Sequence, residues 1–500
     1  MSSPKETVLV FGDQLNTSIS ALASASPASH RVLMIESAGK IAARQWHIQR
    51  IHLIVASMRR FAAELREAGF DVDYRICESF ATGISEHHAA YAPHRIVATE
   101  PNSWSARRLL DRHNVEQVAS NQFLCHPDEF VTFSAGRKSY KMEDFYRWQR
   151  VRLNYLMDGD KPVGDAWNFD KENREPPPRD GSVTWPTPPV SPLDDLDREI
   201  IATYRASSWG EEPSGIWATT RRDALQRLAH FIEHVLPGFG PHEDAMLADN
   251  WHLAHSLLSP YLNLGLLTPQ EVCNAAESAF RDGRVPLNSV EGFIRQIIGW
   301  REFIWNTYWK WMPDYPDLNA LDATMPLPPL FTDPSKTKMN CLSRCVGDVH
   351  SRGYAHHIQR LMVMGNFALI AGINPRQFTD WMWSSFVDAA EWVMVPNVVG
   401  MTLYADGGRV ATKPYAAGGN YIDKMSDYCS SCHYDRSKRV GDDACPFTTL
   451  YWNFLSRNQE RFVKNPRVAQ QVRAAQRLAN IDAVNDRAAG VLGGLDTGRF

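Results

Sequence analysis

Two runs govern the fold reading: Thr7-Val8-Leu9-Val10-Phe11, closed by the turn Gly12-Asp13, and Arg31-Val32-Leu33-Met34-Ile35. Both are short and β-rich. From Ala42 to Ala68 the periodicity changes, with Ile51, Ile54, Val55, Met58, Phe61, Ala62 and Leu65 at helical i, i+3/i+4 spacing. Gly69 is placed to end that helix. Asp71–Cys77 and Arg95–Thr99 read as further strands. Strand–helix alternation of this kind predicts a parallel α/β sheet with right-handed crossovers. A ligand of such a sheet sits at the carboxyl ends of its strands, here around Gly12-Asp13-Gln14 and Glu36. Neither GxGxxG nor GxxxxGK[ST] follows the first strand, so the common dinucleotide and phosphate fingerprints are missing. Asp13 also reads, more plainly, as a turn residue or helix cap.

Working outward, seven prolines between Pro176 and Pro192 exclude regular structure and mark a linker. Beyond about residue 210 the β pattern fades. Amphipathic stretches follow at Arg221–Val235, Pro269–Ala279, Ser289–Trp311, His356–Ala371 and Pro375–Trp383, which predict a large all-α region. Nine of the sixteen tryptophans fall between Trp251 and Trp452, so the aromatic excess belongs to this half. The expected organisation is an α/β Rossmann-like domain over 1–130, an interdomain linker over 131–210 and a helical domain over 211–500.

At 44% hydrophobic and 22% charged residues the chain has ordinary globular composition, which excludes collagen-like, coiled-coil and wholly disordered classes. A formal charge of −4 argues against a generic polyanion binder while leaving room for a local basic patch. The N-terminus carries Glu6 and lacks the apolar run of a signal peptide. Leu361–Ile373, broken by Gly365 and Asn366, is too short to span a bilayer. The expectation is a cytoplasmic, monomeric protein, free of membrane, with reduced thiols. Its clustered cysteines are therefore read as metal ligands before disulfides.

Cys429-x2-Cys432-x12-Cys445-Pro446 is the strongest such cluster. A CxxC turn puts two thiolates on one centre, and a third can close on it a dozen residues later. Cys341 or Cys345 can supply the fourth ligand. Spacing leaves zinc and iron–sulfur both open, and His433 is a further zinc candidate. Cys77, Cys125 and Cys273 sit singly in apolar segments and read as buried structural residues.

HSLLSPYLNLGLL (255–267) has the character of a helix start, where Ser256, Ser259 and nearby backbone N–H groups can meet a phosphate; alone it reads as a capping motif. GWREFIW (299–305) places Arg301 and Glu302 in an aromatic helix, where an arginine needs an anionic partner or a cofactor. His356-His357 beside Arg360 forms a polar island suited to proton donation near neutral pH, or else two hydrogen-bonded core residues.

Taken together, HSLLSPYLNLGLL, GWREF, YAHHIQRLMVMGNFAL, VDAAEWVMVPN, KPYAAGGNYI and MSDYCSSC…DDACPF resemble the bacterial iron–sulfur branch of the photolyase/cryptochrome superfamily, which includes prokaryotic (6-4) photolyases. The likeness runs from GDQL at Gly12 nearly to the C-terminus. It implies an antenna domain, a long linker and a helical FAD-binding domain. It further implies FAD contacts from Ser256, Leu257, Leu258 and Ser259 at the phosphates, with Trp300, Arg301, Arg360, Asn366, Asp388 and Met394 around the rest. A [4Fe–4S] cluster on Cys341, Cys429, Cys432 and Cys445 is implied, with Cys345 a spectator. His356 and His357 match a histidine pair at the lesion face, Tyr415 lies near the flipped lesion, and Trp381 matches the flavin-proximal member of an electron-transfer chain.

The activity implied is reversal of (6-4) photoproducts in UV-damaged DNA by an electron from photoexcited reduced FAD. A cryptochrome-like blue-light photoreceptor is the alternative. Arg436, Lys438 and Arg439 are the expected phosphate contacts, with Arg221-Arg222 second. Four positions depart from the family pattern. Met382 and Asp333 stand where the electron chain would continue, with Trp383 a substitute link, and Met394 replaces a polar residue. Where the family carries an acidic residue for a second chromophore, 6,7-dimethyl-8-ribityllumazine, this chain has Lys40.

Overall fold

A computed structural model of the chain describes residues 5–137, 139–178, 180–498 and 500. The N-terminal part is a five-stranded parallel sheet of β1 (Glu6–Val10), β2 (His30–Ser37), β3 (Asp71–Cys77), β4 (Ile96–Thr99) and β5 (Glu116–Val118), in the order β3-β2-β1-β4-β5. Val8 of β1 registers with Val32 on one side and Val97 on the other. The central strands are buried almost throughout, as expected of a parallel sheet covered on both faces. The expected strands are all present, and β5 is an addition: three residues of Glu-Gln-Val carry too little pattern to be read from sequence.

Helix Ile48–Glu67 covers one face of the sheet, and Gly69 follows its end at φ +89°, a conformation that favours glycine. The same helix is the bridge to the second half. His47 N–H donates to the Ser384 carbonyl (3.0 Å), and the Arg50 guanidinium to that of Phe386 (3.0 Å).

Residues 131–210 are more structured than a linker. The proline-rich stretch is irregular, but helices span Met142–Leu153 and Asp195–Tyr204. Met142, Phe145, Tyr146 and Gln149 form a buried stripe at i, i+3, i+4, i+7, and Tyr146 Oη donates to Glu291 across the body (2.8 Å). Asp197 of the other helix binds His52 (2.8 Å) and Arg60 (2.9 Å) on helix 48–67. The segment therefore straps both halves together. Beyond it the chain is helical, and among the described residues no helix is long and apolar enough to cross a membrane.

Candidate active site

Of the segments of the helical half that depart from α geometry into π-helix, three matter here: Arg295–Arg301, Gln359–Gly365 and Pro396–Thr402. Such wide turns recur at functional sites because they displace side chains from the regular helical face. Here all three contribute residues to one cavity of about 780 Å3, within the roughly 300–1,000 Å3 usual for ligand pockets. Gly365 is where two of them meet; a Cβ on it would lie 2.2 Å from Thr402 Cγ2 and 2.7 Å from the Arg360 carbonyl oxygen.

One wall is held by Asp388. It takes both Arg360 Nη groups at 3.0 Å, accepts from Ser259 Oγ (2.7 Å), and its carbonyl accepts from Asn263 (2.7 Å). Ser256 faces the cavity too, its Oγ accepting the Leu258 N–H (3.4 Å). Opposite stands Arg301, lying over the Phe123 ring (4.0 Å) and paired with Glu302 (3.1 Å). Its buried Nε has no hydrogen-bond partner, and neither does Nη2 of the buried, cavity-lining Arg295. Arg295 also pairs with Asp170 (3.0 Å), so each guanidinium has its carboxylate and keeps a desolvated donor that calls for a further acceptor. Trp300, Met394 and Trp392 supply apolar lining. Cationic donors on apolar walls of this size fit a large dinucleotide such as FAD.

At the mouth the two adjacent histidines part company. His357 is about half exposed, with Nε2 3.4 Å from Asp244. Burial opposes its charged form, but the hydrogen bond and charge of Asp244, with Glu243 behind, outweigh it and raise its pKa above 6.5. His356 is fully buried, does not line the cavity, and stacks on His255 at 4.1 Å with 20° between rings. Burial, then the neighbouring His255 and His357, hold its pKa well below normal. His255 is likewise pushed down, by burial, to about 3. The site thus pairs one protonatable imidazole with two neutral ones.

Other expected residues divide between cavity and support. Tyr415 lines the cavity beside Lys413. Asn366 does not: its side-chain amide donates to the Ala417 carbonyl (2.9 Å) and accepts its N–H (3.0 Å), fixing the strap that carries Tyr415. The side chains of Leu257 and Leu258 are buried away from the cavity. Trp381 packs against Phe331 (4.9 Å), Phe378 and Phe386, and it is Met382 that reaches the cavity. Asp333 caps the turn Pro334–Lys336. Of the basic residues expected at phosphates, Arg436 is paired with Asp423 (2.9 Å), Lys438 with Asp443 and Arg221 with Glu271. Lys413, Lys424 and Arg174 line the cavity instead. Glu243, Asp244 and Tyr421 went unread in the sequence. Asp244 meets His357 across more than a hundred residues, a distance at which no spacing rule operates.

In the C-terminal part Cys341, Cys429 and Cys445 lie close enough to one another and to Cys432 for neighbouring thiols to help raise their pKa values; burial is the leading cause, and it pushes Cys429 up to about 12. Among the described residues, however, no three of these sulfurs fall within 4.8 Å of one another. Cys345 faces the Tyr428 hydroxyl (3.9 Å). Cys125 and Cys273 are buried as expected, whereas Cys77 is partly exposed.

At the sheet's carboxyl edge Glu36 and Gln14 are structural rather than ligand-facing. Glu36 is buried and accepts from Arg59, Tyr74 and Tyr204; Gln14 donates to the Glu100 carbonyl. Asp13 and Lys40 remain, close enough to interact electrostatically, with Asn102 donating to Asp13 (3.2 Å) and Glu391 near Lys40.

Comparison with known proteins gives the class. The family described as "Deoxyribodipyrimidine photo-lyase-related protein" matches residues 8–211. A (6-4) photolyase of Agrobacterium fabrum is 44% identical over 480 residues, which cover 93% of this chain and 94% of the relative. Among solved structures, a bacterial class III photolyase from Agrobacterium tumefaciens shares the fold with a TM-score of 0.60 at 16% identity, over 99% of this chain and 98% of that one. A Synechocystis sp. PCC6803 cryptochrome does so at 0.54 and 15% identity, over 99% and 95%. The chain belongs to the photolyase/cryptochrome superfamily.

Proposed function

We propose that the protein is a light-dependent DNA repair enzyme that reverses (6-4) pyrimidine photoproducts. The observation that carries the reading is His357, a protonatable imidazole at the open mouth of a cavity whose inner walls are cationic and apolar. Reduced FAD held in this cavity would supply the chemistry of electron donation under blue light. Arg301, Arg295 and Ser256 would meet its anionic part, and the Arg360–Asp388 pair keeps two walls in register. A damaged pair leaves the duplex at low cost because its stacking is already weakened. Lys413, Lys424 and Arg174 at the rim attract the flanking phosphates.

Within the mouth, His357 holds a proton. Its Nε2 faces Asp244, which leaves Nδ1 to donate to the lesion while Tyr415 and Tyr421 wall the space. His356, neutral and buried, sets the position of His357 by packing rather than by giving a proton. The test compares wild type with His357→Asn after chemical reduction. The variant is expected to retain FAD and lesion binding and to lose most repair. Full repair by it removes His357 from the proton step.

For the thiols we read a [4Fe–4S] cluster on Cys341, Cys429, Cys432 and Cys445. Four cysteines, with Pro446 following the last of them, suit such a centre. Cys445 begins helix Pro446–Arg457, whose N-terminus favours a thiolate. The polar group of Asp13, Lys40, Asn102 and Glu391 is read as the seat of an antenna chromophore such as the ribityllumazine. Its mixed donors and acceptors support this, and solvent extraction with fluorescence identifies the occupant. The expected enzyme works as a cytoplasmic monomer, which gel filtration checks.

A further inference from the structure

The two residues of the proton-donating pair stand on separate pieces of chain. Asp244 lies in an irregular loop, and His357 opens the helix that continues as Gln359–Gly365. Gln359 reaches back to that helix start, its Oε1 accepting the His356 N–H (3.1 Å), as the third residue of a capping box does. Its Nε2 donates to Tyr428 Oη (3.0 Å) and to Asp348 (3.1 Å). Just before Tyr428 the same stretch of chain holds the other loop. Met246 N–H donates to the Met425 carbonyl (2.9 Å), and Ala248 N–H donates to Asp427 Oδ1 (2.9 Å). Gln359, Met246, Ser426 and Tyr428 are at most 1% exposed, so the junction is sheltered from water.

We propose that residues 425–428 are a clasp that positions the pair: one end holds the loop of Asp244, the other holds the start of the His357 helix, and together they keep a proton on His357. The contact between His357 Nε2 and Asp244, at 3.4 Å, is already long for a hydrogen bond, so further opening forfeits most of it. Without that carboxylate, burial favours the neutral imidazole. Asp427 and Tyr428 do not line the cavity and act only through the segments they hold. The groups around His357 are Asp244 and Glu243 across the gap, with Arg360, His356 and His255 beside it. Lys424, on the helix that leads into the clasp, lines the same cavity. All of these stay in place in the variants below. The use of the clasp in repair rests on the reading of the cavity given above.

The test is an NMR titration of the His357 imidazole C–H signals in the protein as purified, in the dark and without DNA, with His357→Asn to identify them. Tyr428→Phe, Asp427→Ala and Asp427→Asn are compared with wild type. Tyr428→Phe removes one oxygen and leaves Gln359 on Asp348, so it keeps the fold. Tyr428→Phe and Asp427→Ala are each expected to lower the midpoint by about half a pH unit, about a threefold loss of proton affinity. The alkaline limb of the repair profile of pre-reduced protein should move with it. Asp427→Asn loses the charge but keeps the oxygen that accepts from Ala248, and should titrate as wild type. Wild-type midpoints in both Tyr428→Phe and Asp427→Ala, or an equal fall in Asp427→Asn and Asp427→Ala, overturn the proposal. Shifted midpoints in a protein that reverses no (6-4) lesion would instead fail the repair reading and leave the clasp standing.

Discussion

His357 and Asp244 form a pair whose chemistry is set by one contact. With its pKa raised, His357 stays protonated somewhat above pH 6.5, and proton donation is lost as pH rises through the raised value. Asp244→Asn removes the leading favourable contributions, so the alkaline fall of the repair profile should move to lower pH. Repair of a (6-4) oligonucleotide by pre-reduced protein across pH 5 to 9 measures it; an unmoved limb would separate the two residues. Asp388 makes a different case. Asp388→Ala strands the Arg360 guanidinium, which is 16% exposed, without its bidentate partner. A loss of about 3–5 kcal/mol is expected for breaking a buried pair, read by urea unfolding, together with loss of FAD on gel filtration.

At the scale of elements, the cavity depends on three π-helical segments fitting side by side. Gly365→Ala puts a methyl into Thr402 and the Arg360 carbonyl; overpacking of this kind costs about 1–3 kcal/mol and should lower flavin retention. The thiol segment offers a sharper contrast. Cys429→Ser should give protein without iron and with a disordered C-terminal part, because cluster binding and folding are coupled. Cys345→Ser, directed at Tyr428, should keep its full iron content. Iron analysis of both separates ligand from bystander.

Much at this scale could be read from residues alone. Buried strands and long amphipathic helices carry local periodicity, and β1 to β4 and the helices at 221, 269, 289, 356 and 375 follow it. What could not be read has the opposite character. The π turns leave the hydrophobic period almost intact. The stripe Met142–Gln149 was hidden by the prolines after it. Asp244, Glu243 and Ala417 reach their partners only through the tertiary fold. Glu36 looked like a ligand because it ends a strand, and only the structure supplies the Arg59, Tyr74 and Tyr204 that occupy it.

For the whole molecule, the two halves are one functional body. Helix 48–67 anchors to the carbonyls at Ser384 and Phe386, just before Asp388. In the opposite direction Trp309 of the helical half meets Trp104 of the sheet domain, with ring centroids 6.2 Å apart. The measurement that tests this account most directly is blue-light reversal of a defined (6-4) oligonucleotide by chemically pre-reduced protein, with a dark control and a cyclobutane-dimer oligonucleotide alongside. Restored thymines from the (6-4) substrate, in the light only, are predicted. No reversal by flavin-loaded, fully reduced protein would contradict the repair assignment and move the chain to the photoreceptor side of its superfamily.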